Sequence, residues 1–202
     1  EGQGQHVSGI KGEDVIVGIL DTGITPENPS FSGDDFGPAP ADWAGVCDAG
    51  EDETFSCNNK VIGARYYGDA FASVYPIQTE LGEFIGPRDA DGHGSHTAGT
   101  AAGNEDVVAM KNGAELGVMS GIAPRARIAA YKVCWNSDYT TPEGEDQAGC
   151  FPSDTMAAID QATADGVDVI NYSIGGSRTD LTYPPTAAML RATSAGVFVS
   201  VS

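Results

Sequence analysis

The chain has 202 residues, 29 acidic against 10 basic side chains for a net charge of −19, and a 41% apolar share. That is enough for one sizeable domain with a buried core, and residues 1–202 read as a single unit, expected to be incomplete. The charge repels nucleic-acid phosphates and anionic membrane surfaces, so neither is an expected partner, and it suits a protein kept soluble outside the cell or in salty water.

Glu1 to Lys11 are polar, with no basic leader or apolar stretch, and no run approaches the roughly 18 apolar residues of a membrane span. A start without an initiator methionine is expected of a processed or excised chain. Val15 to Leu20 (VIVGIL) then read as a buried strand, and Asp21, Thr22 and Gly23 turn the chain out of it. Thr25 to Asn59 and Tyr67 to Asp89 are long and rich in Pro, Gly and acids, so they are expected to be surface insertions. His93 to Gly103, made almost wholly of small residues, reads as a helix able to approach its neighbours closely.

Arg127 to Val133 (RIAAYKV) form the next apolar strand. Ser153 is the expected N-cap of a helix with a Met156, Ile159, Thr163 stripe ending at Gly166. Val167 to Ile174 read as a strand, Pro184 to Gly196 as a helix, and Val197 to Val201 as a strand. Val- and Ile-rich strands without strict alternation, separated by helices, predict an α/β, doubly wound, mostly parallel sheet with sites at its carboxyl edge. Four cysteines allow three pairings; the local pairs Cys47 with Cys57 and Cys134 with Cys150 each bracket a polar stretch. Two disulfides would imply an oxidising compartment, and four free thiols a reducing one.

Asp21 leaves an apolar strand at the crevice, where a carboxylate is costly to bury without donors. His93 opens its helix between Gly92 and Gly94, uncrowded, after the acids Asp89 and Asp91. Such a pair suits proton transfer, in which the carboxylate fixes the imidazole tautomer and the free ring nitrogen takes a proton from a hydroxyl nucleophile.

The runs VGILDTGI and DGHGSHTAGTAAG, followed by INYSIGG, resemble in that order the subtilisin-like serine protease family. FSCNNKVIGARYY, ARIAAYKVCW and SDTMAAIDQATADGVDVINYSIGG narrow the resemblance to its cucumisin-type subgroup. It implies that Asp21 and His93 are the triad aspartate and base and that His96 is structural. Ser173, Ile174, Gly175 and Gly176 would form the strand that pairs with an extended polypeptide substrate and one wall of its pocket. The implied protein is a secreted endopeptidase, with a propeptide as a further candidate partner and inhibitor. The family's oxyanion asparagine and Gly-Thr-Ser nucleophile find no match here, so these 202 residues alone are expected to be inactive.

Other readings fit less well. An aspartic protease needs two Asp-Thr-Gly motifs and an all-β fold. Zinc on His93 and His96 lacks a third ligand and a base on the same helix. Thr193-Ser194-Ala195-Gly196 is no nucleophile motif, and Ser95 is held within the histidine motif. Many subtilisin relatives bind calcium, but the acidic loops lack an EF-hand pattern, so no metal ligands are assigned and no cofactor is expected. A catalytically inactive binding or scaffold domain is the rival from another class.

Overall fold

A computed structural model describes residues 9–140, 146–176, 180 and 182–202. Its centre is a parallel five-stranded sheet made of β1 (Ile16–Asp21), β2 (Val61–Tyr66), β5 (Arg127–Lys132), β8 (Val169–Tyr172) and β9 (Phe198–Val201). Their spatial order is β2-β5-β1-β8-β9. β1 lies in the middle, pairing Asp21 with Lys132 on one side and Leu20 with Tyr172 on the other. The first strand made is therefore flanked on both sides, which is why all six of its residues are buried.

Side-chain alternation along β1 separates two cores. Ile16 and Leu20 point into a cluster with Ala158, Ile159, Ala162, Ala188 and Ala192, from α3 (Pro152–Asp165) and α4 (Pro184–Ser194). Val17 and Ile19 point the other way, into a cluster with Ala98 and Ala102 from α2 (His93–Ala102). By the same parity, Asp21 emerges on the α2 side. Helices on both faces of a parallel sheet are the doubly wound α/β arrangement the apolar runs predicted.

Three sequence expectations change. Thr25 to Asn59 is no surface insertion, because Phe31, Phe36 and Phe55 are buried along it, Phe31 and Phe55 in the α2-side core. In Tyr67 to Asp89, the short α1 (Asp69–Ala72) buries Phe71 against Trp135 and Phe151. Ser153 is not an N-cap: α3 begins at Pro152 after Phe151, with no side-chain cap, because proline's fixed φ suits the first helical position. Gly166 does end α3, at φ 93°, a left-handed conformation that favours glycine.

Two hairpins extend from this frame: β3 (Val107–Lys111) with β4 (Ala114–Met119), and β6 (Cys134–Thr140) with β7 (Asp146–Cys150). Both expected disulfides are present, Cys47 to Cys57 and Cys134 to Cys150. The second joins residues directly opposite each other in the β6–β7 ladder.

Candidate active site

Asp21 and His93 come together because a strand end and a helix start are forced into close approach. The entry to α2 follows Gly92, which takes φ 101°, so the chain can turn sharply into the helix. Just after His93, Gly94 packs directly on the turn after β1: a Cβ there would lie 2.2 Å from the Gly23 carbonyl oxygen. Gly23, at φ 119°, likewise leaves no room for a side chain beneath the Pro87 carbonyl. Glycine at both points lets the backbones meet, and the side chains beside them are delivered to one place.

There, His93 Nδ1 lies 2.6 Å from Asp21 Oδ1. A carboxylate only accepts, so Nδ1 carries the proton and donates it, leaving Nε2 as the basic nitrogen. Asp21 is 2% exposed at its side chain and His93 49%, so the acceptor is buried while the ring faces solvent. The burial of Asp21 is compensated by donors: Thr22 N–H reaches Oδ1 at 2.8 Å, and the Thr97 hydroxyl, whose single proton is shared with the Gly94 carbonyl at 3.0 Å, lies 3.2 Å from Oδ2. The hydrogen bond to Asp21 raises the His93 pKa above its ordinary value, outweighing partial desolvation, and Asp91 and Asp89 add to the rise.

A second carboxylate supports the approach. Asp89 accepts from the Thr22 hydroxyl and from the backbone N–H of Asp91, Gly92 and Ser95. Burial opposes its ionisation, but the bonds from Ser95, Gly92 and Thr22 hold its pKa below the usual carboxylate value. Beneath the loop, fully buried Lys132 donates to Glu83 at 2.5 Å and to the Arg88 carbonyl at 2.8 Å. Burial pulls the Lys132 pKa down, against the pull of Glu83. Thr97 and Lys132 were missed from the sequence; a lysine inside RIAAYKV was the available signal, since a cation in an apolar strand must find a buried partner.

Ser173, Ile174, Gly175 and Gly176 continue from β8, whose ladder ends at Tyr172 rather than at Ile174 as expected. Tyr172 stands opposite Leu20, so the segment departs from the same sheet edge as Asp21. Gly175 and Gly176 are exposed, a Cβ on Gly175 would meet open space, and one on Gly176 would touch the Tyr183 ring at 3.4 Å. No contact joins these four residues to Asp21 or His93 among the described hydrogen bonds. His96 lies exposed one turn into α2, with its N–H bonded to the Gly92 carbonyl.

The sequence model of the Subtilase family matches residues 12–202. The chain belongs to the subtilase family. Subtilisin-like protease SBT1.6 of Arabidopsis thaliana is 48% identical over 200 residues, 95% of this chain and 24% of that protein. SBT1.5 and SBT1.4 of the same plant are 44% and 45% identical, again over 95% of this chain and 24% of theirs. The chain thus spans about a quarter of the length of the curated relatives it matches. These plant subtilases agree with the cucumisin-type subgroup expected from the motifs. Among solved structures, MycP1 with its N-terminal propeptide removed aligns with TM-score 0.50 and 19% identity, over 98% of this chain and 45% of that one. That likeness supports the subtilase fold. Among the described residues, no helix is long and apolar enough to cross a membrane.

Proposed function

We propose that this chain is the N-terminal portion of a subtilisin-like catalytic domain, and that its parent hydrolyses peptide bonds of extended polypeptides. Asp21 is the triad aspartate, His93 the general base, and the serine and oxyanion asparagine are supplied by sequence outside these 202 residues. The observation that carries the reading is the 2.6 Å bond between His93 Nδ1 and buried Asp21. With Nδ1–H fixed on the carboxylate, Nε2 is free to take the serine proton during attack on the scissile carbonyl and to pass it to the leaving amine. The imidazolium formed in between is stabilised by the same carboxylate.

The substrate lies along Ser173, Ile174, Gly175 and Gly176, pairing its main chain with theirs. Backbone pairing gives affinity without demanding a sequence, and the exposed glycines leave space for the residue before the cleaved bond. Two disulfides and the absence of a nucleic-acid-binding charge fit a secreted protein, and a propeptide would be its natural inhibitor.

The test is turnover of a chromogenic peptide. The 202-residue chain should release no product, and the parent should be active and blocked by a serine-directed phosphonate. Asp21→Asn in the parent should lower kcat by about four orders of magnitude, the loss expected when a triad carboxylate no longer holds the tautomer. Phosphonate-sensitive turnover by the 202 residues alone, or an active Asp21→Asn parent, would overturn the assignment; a parent inactive throughout would favour the scaffold reading.

A further inference from the structure

Consecutive residues on one side of the site grip consecutive residues on the other. Asp21 Oδ1 receives the His93 ring at 2.6 Å, and Thr22 Oγ1 receives the Gly94 N–H at 2.8 Å. The first rung is the proposed catalytic couple. The second needs the Thr22 hydroxyl to be an acceptor towards Gly94, and a hydroxyl has a single proton to give elsewhere. That proton goes to Asp89 Oδ1 at 2.9 Å.

Asp89 is 9% exposed and is surrounded by donors. Besides Thr22, Oδ1 takes Gly92 N–H at 2.8 Å and Asp91 N–H at 3.2 Å, and Oδ2 takes Ser95 N–H at 2.8 Å. Four donors converging on one carboxyl suit the ionised form, because a protonated acid would place a further proton among them. Three of the four belong to the backbone entering α2, on either side of His93. Asp89 is itself anchored, since Lys132 holds the neighbouring Arg88 carbonyl at 2.8 Å.

We propose that Asp89 is the positioning residue of this site: its carboxylate orients the Thr22 hydroxyl, and through Thr22 and the first turn of α2 it holds the His93 ring on Asp21. Asp89 does not touch the reacting nitrogen. The inference rests on the reading of Asp21 and His93 as the proton-transfer couple, so its test reads the imidazole directly and does not require turnover.

The experiment is NMR of His93 in the 202-residue chain, following the ring titration and the exchange rate of its Nδ1 proton. The carboxylates acting on the ring are Asp21, Asp91 and Asp89. Thr22→Val removes the hydroxyl, keeps the shape and leaves every charge in place. It should move the titration midpoint down and speed Nδ1 proton exchange about fivefold, the factor for one hydrogen bond of ordinary net strength. Thr22→Ser should restore both. Asp89→Ala should do at least as much as Thr22→Val, and the comparison with Thr22→Val, which keeps every charge, separates the positioning effect from the direct effect of the lost charge. Methyl resonances of Ile19 and Ala98 report folding; if Asp89→Ala does not fold, Thr22→Val decides.

A folded Thr22→Val chain with unchanged midpoint and exchange overturns the proposal. Asp21→Asn separates the positioning role from the couple it serves. If it lowers the midpoint while the Thr22 and Asp89 variants do not, the couple stands and the positioning role falls. If Asp21→Asn leaves the midpoint where it was, the couple itself fails.

Discussion

His93 Nδ1 lies on a carboxylate that is almost wholly buried, and this fixes a sign as well as a geometry. The bond to Asp21 raises the His93 pKa in the folded state above the ordinary 6.5. Between that value and the folded one, the folded chain holds a proton the unfolded chain has lost. The resulting stabilisation is complete below about 6.5 and is lost as pH rises through the folded pKa. Urea midpoints of the wild type and Asp21→Asn, compared from pH 5 upward, should show a wild-type advantage that shrinks in that window; an advantage growing with pH would contradict the coupling. Asp89 has the opposite sign, because its pKa is depressed: its contribution is present above the ordinary carboxylate value and fades as pH falls through the folded one. At this scale Asp21 and His93 were legible in the sequence because both sit in short motifs bounded by glycine. Lys132 and Thr97 were not, since nothing local to a lysine or a threonine states which distant carboxylate it will meet.

Helix α2 was legible from its small residues, but the small residues do not share one job. A Cβ at Gly94 would stand 2.2 Å from the Gly23 carbonyl oxygen, a rigid backbone atom, whereas one at Gly99 would make an ordinary 3.9 Å contact with Phe31. Alanine is a better helix former than glycine by about 1 kcal/mol, so the two substitutions should diverge. Gly99→Ala should raise stability by up to about 1 kcal/mol. Gly94→Ala should lower it by roughly 1–3 kcal/mol, the range for overpacking, and should loosen the Asp21–His93 bond. Chemical denaturation of both variants is the check, and equal effects would mean that α2 does not bear on the β1 turn as described. The β6–β7 hairpin was invisible as strands because Asn136, Ser137 and Asp138 interrupt the strand formers of β6, and β7 (DQAGC) holds no β-branched or aromatic residue, yet its ends were marked by cysteine. Cys134 and Cys150 close a loop with a sequence separation of 16, so the Cys134→Ala, Cys150→Ala double variant should lose about 3 kcal/mol in the loop-entropy picture. A loss under about 1 kcal/mol would place the strength of this hairpin in the packing of Trp135 and Phe71 instead.

Over the whole molecule, the sheet was legible as a set of strands but not as an order. β2 escaped notice because VIGARY mixes a glycine and an arginine into the apolar pattern, and it is Asp165 that makes the arginine tolerable, through two bonds from Arg65 at 2.8 and 2.9 Å. The charge, in contrast, can be read without any structure and acts on all of it. At −19, the folded chain repels itself more than the expanded one does, which opposes compaction. Salt also weakens ion pairs, so two effects compete. The exposed pair Arg191–Asp160 falls in the class worth about 0–1 kcal/mol, and the buried pair Lys132–Glu83 and the partly buried pair Arg65–Asp165 are little screened, so the loss from pairs is small. Relief of the net repulsion should therefore win. Going from ~0.01 M to ~0.15 M salt shortens the Debye length from about 30 to about 8 Å, and the urea midpoint should rise over that interval and then flatten. The rise should be the same with sodium chloride as with potassium chloride, because it belongs to screening and not to a particular ion. A midpoint that falls with salt would show that the ion pairs outweigh the net charge in holding this chain folded.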